Sequence, residues 1–394
     1  MKIVLMKPWL FSVFLLAVSC TLGNNGGSDA GFKEIRSHFG SDFPVEPPLS
    51  YQSNAPSYIL RDNRIGAGID DKKATLGRVL FYDKNLSLNN SIACASCHQQ
   101  NVAFGDTASR SRGVDGGRTG RQSMRLTNLR FSSEGKMFWD ERAVNLNDQV
   151  TQPIQDHIEM GFSGTQGQPG IDSLLVKLDV IPYYNELFSW AFGNESSSEA
   201  FIAEALTDFV SSIESFDSKY DQGVQNAGII NGPFSNFSAE ENHGFELFLT
   251  PAQLNSSGIR ISGGIGCAGC HEPPEFSIGA GIHNNGVDQV AGDPSGFDTT
   301  NTKSPSLRDV LGINGTPNTP MMHTGDFLEF TTVIEHYNEV IPDVNNTTMD
   351  PRLAKGPSVV KMELTTSERE DLESFVKTLT GSALYTDVRW SNPF

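Results

Sequence analysis

The stretch SIACASCHQQ (Ser91–Gln100) sets a histidine directly behind the second of two cysteines spaced three apart. A zinc knuckle or a thiol redox pair uses the C-x-x-C but gives His98 no role. Covalent haem attachment uses all three residues. Cys94 and Cys97 add to the two vinyl groups of a porphyrin, and His98, carried under the ring by the same turn, ligates the iron. Further along, IGCAGCHEPPEF (Ile265–Phe276) repeats the pattern with Cys267, Cys270 and His271. Two copies point to two covalently bound haem c groups.

The chain has five cysteines, and the two motifs use four of them. The fifth, Cys20, ends LFSVFLLAVSC, an apolar run of signal-peptide length behind Lys2 and Lys7. Small residues just before that cysteine look like a bacterial lipobox, in which the cysteine is lipidated and becomes the mature N-terminus. An ordinary leader cut near Ser19 is the plainer alternative. The position of Cys20 at the end of the run favours the lipoprotein reading. Either way the chain is exported to the cell envelope, facing the periplasm, where haem is attached to such motifs. No later stretch is apolar enough to span a bilayer.

A length of 394 residues fits two domains, since single domains run to roughly 100–200. The net charge of −18 argues against nucleic acid or an anionic membrane surface as a partner. It could steer a basic electron donor, although solubility alone explains it more simply. Thirty-eight glycines and twenty prolines fit long loops between short helices.

Residues 21 to about 65 are rich in Gly, Ser, Asn and Pro and read as a tether followed by an extended arm. Order begins near ATLGRVLFYDKNLS, where Leu76, Val79, Leu80 and Tyr82 suit a short amphipathic helix. SAEENHGFELFL echoes it: Gly244, Leu247 and Phe248 match Gly77, Leu80 and Phe81, and Ser238 with Glu241 forms a capping box. Each segment leads into its own C-x-x-C-H, and CASCHQQNVAF parallels CAGCHEPPEF. The chain therefore reads as a duplicated unit with a boundary near Gly232. Between the copies, Phe201, Ile202, Ala205, Leu206, Phe209, Val210 and Ile213 share one helical face and read as core. A last helix begins at a second capping box, Thr365 and Glu368, with Leu372, Phe375, Val376 and Leu379 at helical spacing. No strand alternation of any length stands out, so the expected fold class is all-α with many loops.

The segment GKMFWDERAVNLNDQVTQPIQDHIEMGF contains Trp139, Gln149, His157 and Glu159. Together with LGRVLFYDKNLS, both C-x-x-C-H motifs, KSPSLRDV and LTTSEREDLESFVKTLTG, it resembles the bacterial di-haem cytochrome c peroxidases and their MauG relatives, from about Leu76 to Gly381. The resemblance implies a peroxidatic N-terminal haem with His98 as proximal ligand and a C-terminal electron-relay haem on His271. It implies Glu159 as the distal acid–base carboxylate, Gln149 as the glutamine bordering the peroxide site, and Trp139 as the ring between the haems. Taken singly, a glutamate is usually surface and a tryptophan usually core. A carboxylate above an open iron face can nonetheless move the proton that O–O cleavage requires, and the joint spacing favours the functional roles. His157 could sit in the distal pocket or cap a helix. His38, His243 and His283 read as structural or surface.

Two departures from the family pattern stand out. From Gln99 to Asp156 the chain has no histidine, where ordinary members supply one that blocks the first haem. The first haem is therefore expected to be open without reductive activation. Counting from PMMH (Pro320–His323), the distal ligand position of the second haem falls on Tyr337, as in the MauG branch, rather than on methionine. Met321, Met322, Met362 and His336 remain competitors, although His336 and Tyr337 point about 100° apart on a helix. The family's calcium ligands align with Gln122, Asn318 and Pro320, two of them altered from the usual residues.

The expected organisation is a leader over 1–19, a lipid-anchored tether and arm over 20–65, and two cytochrome c-like helical domains over 66–235 and 236–394, each with one haem c. The expected activity is reduction of hydrogen peroxide with electrons from a cytochrome c or cupredoxin-type donor, passed from the second haem through Trp139 to the first. A MauG-like oxidase acting on a partner protein's Tyr or Trp, or a non-enzymatic di-haem electron carrier, are the alternatives.

Overall fold

Two helix crossings, each closed on a glycine, organise the chain in the computed structural model. A Cβ on Gly77 would lie 2.0 Å from the carbonyl oxygen of Ala205, and one on Gly244 would lie 1.9 Å from that of Asp371. Only glycine allows backbones to approach so closely. The two matched glycines of the duplicated segments thus do the same work in each half. The structure describes residues 31–394 except 65–67, 278–280, 282, 291–292, 301 and 356–357.

The helices are, in order, α1 (Lys33–Phe39), α2 (Asp71–Tyr82), α3 (Cys94–Cys97), α4 (Leu146–Gln149), α5 (Ile171–Asp179), α6 (Pro182–Phe192), α7 (Glu199–Ser211), α8 (Lys219–Ala227), α9 (Ala239–Leu249), α10 (Phe330–Asn338) and α11 (Thr366–Lys377). Helix α2 starts where Asp70 accepts from the backbone N–H groups of Lys72 and Lys73. Both expected capping boxes form, Ser238 with Glu241 at α9 and Thr365 with Glu368 at α11. The α2–α7 pair centres a first core that buries Leu76, Leu80, Leu206 and Phe209; the α9–α11 pair centres a second with Phe245, Phe248, Leu372 and Phe375. Of the apolar stripe expected on α7, Phe201 is half-buried and stacks on Phe192 at 4.2 Å between centroids.

The all-α expectation needs correction. Among the described residues, three antiparallel two-stranded hairpins stand in the second half: β1 (Ala252–Leu254) with β2 (Arg260–Gly263), β3 (Gln289–Val290) with β4 (Asp293–Phe297), and β5 (Ala354–Lys355) with β6 (Ser358–Val359). Strands of two to five residues are too short to display alternation.

Chain ends cross between the halves. The described part of the segment expected as tether and arm packs against the protein: Ile35, Phe43, Val45 and Tyr51 are buried in the first core. Glu186 caps α1 by accepting from the N–H groups of Glu34 and Ile35, both at 2.9 Å. Tyr58 packs against the second core, which also takes in Tyr220 and Val224 of α8, and donates to Asp221 at 2.7 Å. At the other terminus, Leu384 and Trp390 return to the first core, although they lie within the segment assigned to the second domain. Trp390 donates its indole N–H to Ser212 at 3.0 Å, and its carbonyl accepts from Tyr82 at 2.6 Å. The leader and Cys20 lie outside the described residues. No described helix is long and apolar enough to cross a membrane.

Because Trp390 is fully buried in the partner half, Trp390→Ala should destabilise the protein by about 3–5 kcal/mol, the usual cost of deleting a buried tryptophan. Guanidinium unfolding followed by far-UV circular dichroism measures it. A change under about 1 kcal/mol would mean that the tail adds little to the first core.

Candidate active site

Each C-x-x-C-H turn holds its histidine in the same way. His98 directs Nδ1 to the carbonyl of Phe104 at 3.0 Å, and His271 directs Nδ1 to the carbonyls of Phe276 at 3.0 Å and Pro305 at 3.1 Å. A proton held on Nδ1 leaves the Nε2 lone pair for a metal. Burial keeps both rings neutral, lowering His98 below the usual range and His271 to about 4. Phe104 and Phe276 present these carbonyls from left-handed backbone, φ 57° and 53°. Bulky residues rarely adopt that conformation, which costs on the order of 1–3 kcal/mol. The strain recurs at the matched positions of the duplicated loops, CASCHQQNVAF and CAGCHEPPEF.

The four motif cysteines form no disulfide and are half-buried. Burial pushes Cys94 and Cys267 up to about 12 and Cys97 to about 11, and it raises Cys270 as well. All four are therefore neutral thiols at pH 7. Around the second motif lies a cavity holding about 1750 Å³ of non-atom space, its open mouth included. Cys267, Cys270, His271, Tyr337, Met321, Met322 and Met362 line it. Tyr337 accepts from the side-chain amide of Asn285 at 3.1 Å, whereas His336 turns away to the Asn285 carbonyl at 2.9 Å. Of the two neighbours, only Tyr337 lines the cavity.

Glu159 belongs to the first motif. Its carboxylate is felt by both Cys94 and Cys97. Burial first, then the neighbouring charge of Asp156, pushes it up to about 7, with Arg142 opposing. Its backbone is fixed from two sides. Asp156 accepts from its N–H at 2.9 Å, and the Val114 N–H donates to the Ile158 and Glu159 carbonyls at 3.1 and 3.2 Å. Gln149 ends the short helix α4, half-buried, its backbone N–H donating to the Asn145 carbonyl at 3.2 Å and its side-chain amide free of hydrogen bonds to other described residues. His157 lies within 3.3 Å of the Ser163 hydroxyl.

Trp139 lines the second cavity and donates its indole N–H to the Gln122 carbonyl at 2.8 Å, with the His323 ring 6.1 Å away. The segment carrying Gln122 is a wall between the two sites. Ser123 lies beside the His98 ring, its hydroxyl 3.4 and 3.5 Å from the two nitrogens, while Gln122, Met124 and Arg125 line the second cavity. Of the residues aligned with calcium ligands, Gln122 and Pro320 line that cavity, but Asn318 turns to the Asp309 carbonyl and Tyr385 hydroxyl, both at 2.8 Å. Among the described residues no three His, Cys, Asp or Glu side chains gather as a metal site.

KSPSLRDV, which carries part of the family resemblance, has three structural roles. Pro305 holds His271; buried Lys303 donates to the Lys136 carbonyl at 2.7 Å; fully buried Arg308 makes a bidentate pair with Asp221 at 2.9 and 3.0 Å. Glu275, four residues after His271, also faces Arg308 and is pushed up to about 7 by burial.

Residues 71–228 match the model of the di-haem cytochrome c peroxidases. The methylamine utilization protein MauG of Methylophilus methylotrophus is 30% identical over 320 residues, 79% of this chain and 84% of the relative. The chain belongs to the di-haem cytochrome c peroxidase family. Cytochrome c551 peroxidase of Nitrosomonas europaea is 26% identical over 313 residues, 78% of this chain and 80% of that protein. Among solved structures, a MauG-like protein associated with microbial copper homeostasis aligns with a TM-score of 0.65 at 26% identity, covering 87% of this chain and 99% of that one. Membership in this oxidoreductase family implies two c-type haems. The residues fit: each motif offers two neutral thiols and an imidazole whose Nε2 is left for iron, and the second opens into a cavity of suitable lining.

A Cβ on Gly113 would lie 1.8 Å from the Ile158 carbonyl, so the loop beneath Glu159 tolerates no side chain there. Gly113→Ala should displace the 156–159 turn and cost about 1–3 kcal/mol, the usual penalty of overpacking. Denaturant titration checks the cost. Unchanged stability would show that the loop yields freely and does not fix Glu159.

Proposed function

We propose that this protein is a di-haem peroxidase that reduces hydrogen peroxide to water, taking electrons from a small exported donor protein of cytochrome c or cupredoxin type. The observation that carries this reading is Glu159, a carboxyl raised to about 7 whose charge reaches both thiols of the first C-x-x-C-H turn. Bound haem c would supply the iron that takes up peroxide at the first site and the electron relay at the second. Reduction of one peroxide to two waters consumes two electrons and two protons. Glu159, titrating near neutral pH, accepts a proton from the incoming peroxide and returns it to the departing oxygen. Gln149, with its amide unengaged, would border the bound peroxide. Trp139, fixed to the wall between the sites, would shorten the electron path from the second haem. Export through the apolar leader and anchorage at Cys20 would place the reaction at the cell envelope.

Glu159→Gln should keep two haems per chain by pyridine haemochrome analysis while slowing the peroxide reaction on the order of 10²–10⁴-fold, the contribution of a general acid–base group. The sign with pH follows from the raised carboxyl. The carboxylate is the form that accepts the first proton, so the wild-type rate should rise through about pH 7. The Gln variant should lack that limb. A wild-type rate in the variant would remove Glu159 from catalysis.

One observation favours a second reading, a MauG-like oxidase that withdraws electrons from a Tyr or Trp of a partner protein. Tyr337 lines the second cavity while His336 points elsewhere. A phenolate ligand donates charge to ferric iron and lowers its potential, easing oxidation of the second site. Tyr337→Phe keeps the ring and removes the donor. It should shift the second haem's spectrum and raise its potential, read by spectroelectrochemistry. An unchanged spectrum and potential would assign the ligand to a methionine and return the second site to simple electron relay.

A further inference from the structure

Arg125 joins the two histidine sites through the wall that separates them. Its backbone follows Ser123 and Met124, the residues that lie against His98. Its side chain crosses to the other site, where Nη2 donates to the Ser306 carbonyl at 2.9 Å, next to the Pro305 carbonyl that holds His271 Nδ1 at 3.1 Å. The guanidinium lines the second cavity, and its buried Nε has no hydrogen-bond partner. One close contact fixes the start of the side chain: the Gly105 Cα faces the Arg125 Cγ so closely that an added Cβ would lie 3.0 Å from it.

We infer that Arg125 is a positioning residue for the second haem's histidine: it ties the loop that orients His271 to the segment that packs on His98, and it holds a fixed positive charge at the cavity that would take the second haem. The inference rests on the reading that both C-x-x-C-H sites carry haem. Arginine suits this place because its guanidinium stays charged when buried and offers several donors in a rigid fork. The unpaired Nε–H would be available to an acid oxygen of a haem bound in the cavity. The acid whose charge reaches it is Asp309. Asp309, fully buried, is held at one oxygen by the Gly381 N–H at 2.9 Å and the Tyr385 hydroxyl at 3.1 Å. Burial raises that carboxyl, which weakens its cancellation of the arginine charge.

A fixed cation stabilises the less positive, reduced iron and so raises its potential. A purely structural arginine would give no such charge dependence. The test compares wild type with Arg125→Lys, Arg125→Gln and Arg125→Met, the last as a second neutral variant should the buried amide impair folding. Haem content is counted first, and the potentials of both haems are then read by spectroelectrochemical titration, with the second haem assigned by its loss in Cys267→Ala. The neutral variants should lower the potential of the second haem, the Lys variant should stay near wild type, and the first haem should move little. An unchanged second haem in the neutral variants, a fall as large with lysine, or an equal fall at both haems would overturn the inference. Fewer than two haems in the wild type would overturn the reading beneath it, and the haem count shows this before any potential is measured.

Discussion

The site depends on one repeated contact, an imidazole Nδ1–H given to the carbonyl of a phenylalanine in left-handed backbone. Phe104 and Phe276 are both fully buried. The packing of each ring can therefore hold a conformation that its side chain disfavours. The short loop after each motif closes back on itself, Gln99 bridging Gly105 and Glu272 bridging Ser277. That closure brings the carbonyl under the histidine. Strain stored this way fixes which nitrogen carries the proton, and with it which nitrogen faces the iron site. Relaxing the phenylalanine would free the ring to rotate, and the thiols alone would not orient an axial ligand.

Duplication explains why the device occurs twice, but the two copies have diverged around it. The first histidine has one carbonyl partner and a hydroxyl beside its ring; the second has two carbonyl partners, one of them from KSPSLRDV. The second cavity is also not built by the second copy alone. Gln122, Met124, Arg125 and Trp139 come from the first half of the sequence. Tyr58 and Trp390 cross in both directions to pack against the opposite core. Neither copy would keep its present surroundings if the halves were parted, so the second cavity and the fold share one interface.

How much of this was legible follows from the range of each signal. Local patterns read well. The C-x-x-C-H turns, the caps at Ser238 and Thr365, and the match of Gly77 with Gly244 all depend on residues within one or two turns of each other. The reason for those glycines, a carbonyl about 2 Å from any Cβ, belongs to a partner helix more than a hundred residues away and leaves no local trace. The same holds for Trp390, read as part of the second domain because nothing near it signals a return to the first. The hairpins were missed because two to five residues cannot display a period. Arg125 was passed over because a single arginine in a loop looks like any solvated charge until its guanidinium is found buried between two histidine loops.

Two carboxyls, half-buried Glu159 and buried Glu275, are both raised to about 7, yet their surroundings differ. Glu275 is enclosed by Arg308 and receives a hydrogen bond from Asn128 at 3.2 Å, in a cluster completed by Asp221. Moving its proton would disturb a buried network whose members have no water to replace the lost partner, and such networks are costly to break. Glu159 has no such enclosure. Arg142, the cation that opposes its shift, is bound to Asp140 at 2.9 Å and covers the Phe138 ring at 3.5 Å. Its carboxyl therefore carries a raised affinity for a proton without a partner that would be broken by taking or giving it. A group meant to cycle a proton at neutral pH needs that combination, and of the two carboxyls only Glu159 has it.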